Sequence, residues 1–393
     1  MLLIGLCSVA WLLGALLRAS TCLPLQDECD DVALEMVQRS ASKSGTPNAG
    51  HVLELEYSSS RLLVHVQVGS LPPKRMLLDT GSSTVAFCNV SLPDNLPDSK
   101  KTGFNACEQY GPSTANGYFR DGYVGPFFQG ELRIRGSTEL RIPDAMFAVF
   151  GEGSCAPFLC HNTPSQGIFG VAYRQRNKIF PSTLDLSSAC LRTSSTDINI
   201  LCPTTSASFV PPLMQDLRQT SDGSEIFGIY WSGGASGSMF LGPAAVGTQN
   251  FDSLAPQAVL LDSGAGASGW YNVNVLKIVI GGTEYEEIDC TKHSRACIID
   301  TGTPSFLLPS GVSTEFLSVP FEKPKLEFHL QGVKGEVVLD FDLTPWLSQG
   351  LVEVLNPPEA FWDPLMVLGL PLWSRYYTMF NITGNTVSFT PHI

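Results

Sequence analysis

Two short strings contain the residues best suited to chemistry: Leu77-Leu-Asp-Thr-Gly-Ser-Ser83 and Ile298-Ile-Asp-Thr-Gly-Thr-Pro304. Each places an Asp-Thr-Gly turn after an apolar run, and one string lies in each half of the chain. Two carboxylates held close together cannot both ionise easily, so such a pair shares one proton. The ionised member can act as a general base and the protonated member as a general acid. The sequence therefore predicts a two-carboxylate acid-base site formed by Asp79 and Asp300.

Six further residues of the turns are expected to support the two carboxylates: Thr80, Gly81 and Ser82 in the first turn, and Thr301, Gly302 and Thr303 in the second. The glycines allow backbone to approach a carboxylate closely. The hydroxyl three positions after each aspartate can hold its orientation by a hydrogen bond, and the two threonines that follow the aspartates can tie the loops together. An ordinary β-turn would explain one such string, because Asp and Gly are common in turns. The repeat with the same apolar lead-in argues against that explanation.

Composition limits the class of protein. The chain has 393 residues, which is enough for two lobes with cores of their own. Hydrophobic residues make up 44% and charged residues 16%, a balance typical of a globular protein rather than a disordered one. The net charge of −13 argues against nucleic acid and anionic membranes as partners. It is compatible with work in acid, where carboxylates begin to lose their charge.

The N-terminus has the features of a secretory protein. Residues 1–20 form a short apolar run that is typical of a signal peptide, and no later run reaches the length of a membrane span. We therefore expect no stable membrane anchor. Residues 21–50 are polar and acidic, and we interpret them as a pro-segment or an N-terminal extension. Two sequons, at Asn89 and Asn381, could carry glycans.

The chain has 11 cysteines, and removal of Cys7 with the signal peptide leaves an even number. They occur as neighbours along the sequence, which predicts disulfides that close short loops: Cys22 with Cys29, Cys88 with Cys107, Cys155 with Cys160, Cys190 with Cys202, and Cys290 with Cys297. A zinc site is the alternative at Cys155, Cys160 and His161. No second ligand pair at a suitable spacing accompanies them, so we expect disulfides and no metal.

The remaining pattern predicts a mainly β protein. Residues 51–69 alternate apolar and polar positions around a turn, as a hairpin does. Many other short strand-like runs follow, and residues 210–219 are the best candidate for a helix. We divide the chain into an N-terminal β lobe at 51–262 and a C-terminal β lobe at 263–393.

Around the two turns the chain resembles the pepsin-like aspartic proteases. Five segments carry the resemblance in addition to the turns: VGSLPP (68–73), GIFGVAY (167–173), FGIYWSGGASGSMFLGP (227–243), WYNVNVLKIVIGG (270–282) and VLGLPLWSRYYTMFN (367–381). The resemblance implies an all-β, bilobal pepsin-like acid protease fold with a central cleft and few short helices. It also implies that GIFGVAY and VLGLPLW brace the turns, and that the protein is a monomer without a cofactor that cleaves polypeptides in acid.

The resemblance also implies a flap over the cleft, with a tyrosine before a glycine-containing hairpin. Tyr118 has the right residue type, whereas Phe119 takes the position when counted back from Asp121 and Gly122. Asp262 lies in a third possible triplet, but Ala265 removes the hydroxyl, so we interpret Asp262 as a loop residue. The G-x-G-x-x-G string at 264–269 precedes a Val-rich strand rather than a helix, which argues against a dinucleotide site.

Two other functions remain open from the sequence. A protease-like binding or inhibitor protein would keep the fold without turnover, although both turns are intact here. A disulfide-rich structural or adhesive protein would explain the cysteines but not the paired turns. For the protease we expect the secretory pathway, with delivery outside the cell or to a vacuolar or lysosome-like acidic compartment.

Overall fold

The computed structural model describes most of the chain after residue 49. The described residues are 50–93, 95–113, 119–150, 160, 164–173, 177–184, 186, 189–192, 198–200, 202–203, 208–209, 213, 217, 225–261, 269–286, 288, 290, 296–309, 312, 325–347, 352–354 and 366–392. All of them belong to one compact unit. The described residues do not include the predicted signal peptide. They also do not include residues 21–49 of the predicted extension, which contain Cys22 and Cys29.

Strands account for most of the described residues, as predicted. In the part of the chain up to residue 261, which we call the first half, they are β1 (His51–Tyr57), β2 (Leu62–Val68), β3 (Lys74–Asp79), β4 (Val85–Cys88), β5 (Ser99–Ser113), β6 (Phe119–Ile134), β7 (Leu140–Phe150), β8 (Gly167–Gly170), β9 (Lys178–Pro181), β10 (Cys190–Arg192), β11 (Ile198–Ile200), β12 (Ser208–Phe209), β13 (Ile226–Tyr230), β14 (Ser236–Leu241) and β15 (Gln257–Leu261). In the second half they are β16 (Asn272–Val273), β17 (Val275–Ile280), β18 (Thr283–Tyr285), β19 (Cys297–Ile299), β20 (Phe306–Leu308), β21 (Lys325–Gly332), β22 (Gly335–Asp342), β23 (Val352–Val354), β24 (Met366–Leu368), β25 (Tyr376–Asn381) and β26 (Thr386–Pro391).

Helices are short where the structure describes them. They are α1 (Pro243–Gly247), α2 (Thr344–Leu347), α3 (Pro371–Arg375) and the 3-10 helix Asn89–Ser91. Of the helix predicted at 210–219, Leu213 and Leu217 are described; both are helical and buried in the core. The prediction of a mainly β chain with few helices is therefore confirmed.

The predicted hairpin at the start of the described region is present. Strands β1 and β2 pair in antiparallel fashion, and Ser58 and Arg61 exchange two backbone hydrogen bonds across the turn. The two central residues, Ser59 and Ser60, have φ of 50° and 58°. Positive φ at both central positions gives a turn whose twist matches that of the flanking strands. Asn or Gly usually occupies these two positions.

The two halves contain the same arrangement of four strands. In the first half β3 is parallel to β8, β8 is antiparallel to β4, and β4 is parallel to β7. In the second half β19 is parallel to β24, β24 is antiparallel to β20, and β20 is parallel to β23. Strands β3 and β19 lead into the two Asp-Thr-Gly turns. Both turns are therefore supported by the same local framework.

A run of antiparallel strands joins the halves in the order β1, β14, β13, β25, β26 and β15. Within it, β13 from the first half pairs with β25 from the second. The aromatic rings of Phe227, Tyr271 and Phe380 contact one another beside this pairing, with centroids 4.6–5.7 Å apart. Residues of both halves thus share one buried core.

The disulfides correct most of the predicted pairing. Cys88 pairs with Cys160, and Cys107 pairs with Cys202, with Cα atoms 5.8 and 5.7 Å apart. The predicted pairs Cys88–Cys107, Cys155–Cys160 and Cys190–Cys202 are therefore wrong, whereas Cys290–Cys297 is confirmed. Cys155 lies outside the described residues, and so does the side chain of Cys190. Disulfide geometry selects cysteines that are close in space, and in a sheet these can lie far apart in the sequence. The N–H of Cys202, for example, donates at 3.1 Å to Oε1 of Gln109 on β5, the strand that carries Cys107.

These disulfides indicate an oxidising environment, such as the secretory pathway or the cell exterior. Across the described residues, no helix has the length and apolar character needed to cross a membrane. Of the two sequons, Asn89 begins the 3-10 helix and Asn381 ends β25, and both are half-buried.

Candidate active site

The two aspartates lie close together, each at the end of a buried strand. Asp79 is the last residue of β3, and Asp300 directly follows β19. The apolar residues before each aspartate are buried, because each strand lies between neighbours in a covered sheet. The backbone N–H of Asp300 donates to the carbonyl of Leu368 on β24 at 3.1 Å, so the parallel pairing continues to the aspartate itself.

The two turns are joined by a reciprocal set of hydrogen bonds between Thr80 and Thr301. The Thr80 hydroxyl donates to the carbonyl of Ile299 at 2.9 Å and accepts from the Thr301 N–H at 2.9 Å. The Thr301 hydroxyl donates to the carbonyl of Leu78 at 2.7 Å and accepts from the Thr80 N–H at 3.0 Å. All of these groups are buried. The structure therefore brings the two predicted threonines together and fixes one turn against the other.

Each carboxylate accepts the same two hydrogen bonds within its own turn. Oδ1 of Asp79 accepts from the Gly81 N–H at 2.8 Å, and Oδ2 accepts from the Ser82 hydroxyl at 2.6 Å. In the second turn, Oδ1 of Asp300 accepts from the Gly302 N–H at 2.8 Å, and Oδ2 accepts from the Thr303 hydroxyl at 2.6 Å. Hydrogen bonds to both oxygens fix the plane of each carboxylate.

The glycine of each turn lies against the carboxylate of the other turn. A Cβ atom on Gly81 would lie 2.8 Å from Cγ of Asp300, and one on Gly302 would lie 2.6 Å from Oδ1 of Asp79. Only glycine fits at these two positions. The two carboxylates are correspondingly close and almost covered, with 7% of Asp79 and 8% of Asp300 exposed.

This burial changes the acidity of the pair. Burial raises the pKa of Asp79 well above its ordinary value, and the negative charge of Asp300 and a hydrogen bond between the two side chains raise it further. The hydrogen bonds from Ser82 and Gly81 act in the opposite direction because they stabilise the ionised form. The pair therefore keeps one proton at a pH where an isolated aspartate would have lost it.

Segments on the neighbouring strands brace the turns. After β8, the Val171 N–H donates to the carbonyl of Asp79 at 2.9 Å, and the Ala172 N–H donates to the carbonyl of Ser82 at 2.8 Å. After β24, the Leu370 N–H donates to the carbonyl of Thr303 at 2.8 Å. These are the segments GIFGVAY and VLGLPLW that the sequence singled out, and they lie against the two turns.

One contact with the first turn was not foreseen from the sequence. Nε1 of Trp270, in the second half, donates to the carbonyl of Gly81 at 2.9 Å. Its neighbour Tyr271 donates through its hydroxyl to the carbonyl of Val171 at 2.5 Å. A Trp-Tyr pair at the start of an apolar strand is the feature of the sequence that could have indicated these contacts. A buried indole N–H or phenol hydroxyl usually has a hydrogen-bond partner.

The remaining predicted positions are only partly described. Tyr118 and Asp262 lie outside the described residues. Phe119 is the first residue of β6 and lies opposite Ser113 of β5 and Ile200 of β11, but its side chain is outside the description. Among the described residues, no group of His, Cys, Asp and Glu side chains is arranged to hold a metal ion.

Neither a comparison of the chain with protein-family models nor a search of curated proteins returned a match. The class of protein is therefore inferred from the geometry of the two turns and from the strands that support them.

Proposed function

We propose that this protein is an aspartic endopeptidase with a pepsin-like, bilobal fold, and that it hydrolyses peptide bonds of polypeptides at acidic pH. The observation that carries the proposal is the mutual packing of the two turns. Each glycine lies against the opposite carboxylate, and the two threonines bond across the pair. Such packing holds Asp79 and Asp300 close enough to share one proton.

The reaction uses one ionised and one protonated carboxyl. The ionised carboxylate takes a proton from a water molecule while the water oxygen bonds to the carbonyl carbon of the peptide. The protonated carboxyl gives its proton to the carbonyl oxygen, so a neutral tetrahedral diol forms. When the carbonyl re-forms, the C–N bond breaks and the leaving nitrogen receives a proton from a carboxyl. One diol hydroxyl returns a proton to the pair, which ends the cycle with a single proton again.

The repeated four-strand arrangement supports the bilobal part of the proposal. Each lobe, at 51–262 and 263–393, supplies one strand, one turn and one carboxylate, so the active site lies where the lobes meet. The substrate is an extended polypeptide bound between them. The disulfides favour a secreted protein or one sent to a vacuolar or lysosome-like compartment, where the acidic medium keeps the shared proton in place.

The decisive experiment is digestion of a denatured protein by the processed chain across pH, with Asp79→Asn and Asp300→Asn as variants. We expect cleavage by the wild type at about pH 3–5, inhibition by a statine-type mimic of the transition state, and no cleavage by either variant. Asp144→Asn, at an exposed position on β7, is the matched control and should retain full activity.

Full activity in Asp300→Asn would refute the proposal. Tight binding of a polypeptide without cleavage across the whole pH range would instead favour a catalytically silent, protease-like binding or inhibitor protein.

A further inference from the structure

Residues Gly269 to Tyr271 form a contact between the halves directly beside the Asp79 turn. The Tyr173 N–H donates to the carbonyl of Gly269 at 3.1 Å, and the Tyr271 hydroxyl reaches the carbonyl of Val171. Val171 in turn donates its N–H to the carbonyl of Asp79. Within the segment from Gly269 to Tyr271, the side chain of Trp270 forms a hydrogen bond with the turn itself, at the carbonyl of Gly81.

We propose that Trp270 is a positioning residue for catalysis, which holds the peptide between Gly81 and Ser82 and so orients the two groups that hydrogen-bond to Asp79. This inference rests on the proposed aspartic endopeptidase function. It assigns to Trp270 a role in the reaction without contact with the reacting atoms.

The ring of Trp270 is itself fixed by the strands that support the other carboxylate. It is 6% exposed and packs in a cluster with Ala296, Ile298 and Val367. Ile298 belongs to β19, which leads to Asp300, and Val367 belongs to β24, which pairs with β19. A rigid ring anchored on the Asp300 side therefore extends its N–H to the turn on the Asp79 side.

The carbonyl that accepts this hydrogen bond lies between the two donors to Asp79. The Gly81 N–H precedes it in the chain and bonds to Oδ1, and the Ser82 hydroxyl follows it and bonds to Oδ2. The carboxylate of Asp300 occupies the space that a side chain on residue 81 would need, so this residue is glycine. Glycine has no side chain to limit its backbone rotation. A hydrogen bond to its carbonyl is thus a direct way to fix the orientation of the Gly81–Ser82 peptide.

Loss of the indole N–H should loosen both donors. Because these donors stabilise the ionised form of the carboxyl, their weakening should move the pH–rate profile of the pair to higher pH. It should also lower the rate of the chemical step more than it weakens binding, since the geometry of the carboxyls matters most in the transition state.

The test compares Trp270→Phe with Trp231→Phe. Phenylalanine keeps an aromatic ring but removes the N–H. Trp231 is the matched control because it is also buried and donates through Nε1 to a carbonyl, that of Gly234 at 2.6 Å, within its own turn. We expect Trp270→Phe to lower kcat about tenfold, to change KM by less than about twofold and to shift the pH profile upward. Trp231→Phe should lose stability but keep the wild-type kcat and pH profile.

Hydrogen exchange of the Gly81 and Ser82 amides provides a readout that does not depend on activity. Exchange should accelerate in Trp270→Phe and not in Trp231→Phe. If the wild type cleaves and Trp270→Phe matches it in kcat, pH profile and exchange, the positioning role is refuted while the proposed function stands. If the wild type does not cleave, the proposed function fails and the role in catalysis fails with it, while exchange still decides whether Trp270 holds the turn.

Discussion

Thr80→Val removes one hydroxyl from the buried hydrogen bonds that join the two Asp-Thr-Gly turns. Valine has nearly the same shape as threonine, so packing should change little. The Thr80 hydroxyl takes part in two bonds, one donated to the carbonyl of Ile299 and one accepted from the Thr301 N–H. Both partners are backbone groups within a buried site, with Ile299 and Thr301 no more than 1% exposed. The substitution therefore leaves one buried carbonyl and one buried N–H without these partners.

The expected cost follows from those two groups. A buried polar group left without a partner costs about 1–3 kcal/mol, so two of them should lower the free energy of unfolding by about 2–6 kcal/mol. That is a large part of the total for a typical protein, which is about 5–15 kcal/mol. Thr80→Ser keeps the hydroxyl and loses only a methyl group, so it should cost about 1 kcal/mol or less.

Equilibrium unfolding in denaturant at pH 5, with the disulfides intact, measures both variants against the wild type. The double variant Thr80→Val/Thr301→Val should cost less than the sum of the single variants, because the first loss already lets the turns separate. Equal stability of Thr80→Val and the wild type would refute the reasoning, as would equal losses for Thr80→Val and Thr80→Ser.

Two further predictions concern stability. Because the raised pKa of Asp79, caused first by burial, makes its ionisation costly in the folded state, Asp79→Asn should be more stable than the wild type at pH 7. The gain should disappear below about pH 3.9, where aspartate is protonated in both states, and thermal unfolding at pH 7 and 3 would test this. Ser60→Gly should stabilise the first hairpin by about 0.5 kcal/mol, because Ser60 has a left-handed backbone. Glycine at Ser58, whose φ is not positive, should be destabilising in the same unfolding assay.

The predictions that were confirmed depend on short stretches of sequence. The alternation in residues 51–69 defines β1, β2 and their turn, because the burial of every second side chain is a local property of a strand. The apolar runs before Asp79 and Asp300 likewise predict buried strands that end at the aspartates. The repeated string was enough to select Asp79 and Asp300 as a pair, and the structure places them together.

The features that were missed depend on contacts between distant segments. Strand β5, Ser99–Ser113, is polar and lacks an alternating pattern, so its extended form comes from pairing with β6 and β9. The disulfide from Cys107 to Cys202 follows from that same sheet, as does the failure of pairing by proximity. For Trp270 the sequence predicts no more than a place at the start of the 270–282 segment, since nothing near it in sequence identifies its acceptor, the carbonyl of Gly81.

The symmetry of the two turns has a consequence for the proposed reaction. Each turn gives its carboxylate one N–H and one hydroxyl at nearly equal distances, so the turns by themselves do not decide which carboxyl keeps the shared proton. That preference must come from groups outside the turns. Trp270 is such a group, because it is carried by the second half and bonds to the turn of the first. In the proposed reaction, a symmetric pair of carboxylates can thus act as one acid and one base when the two halves around it differ.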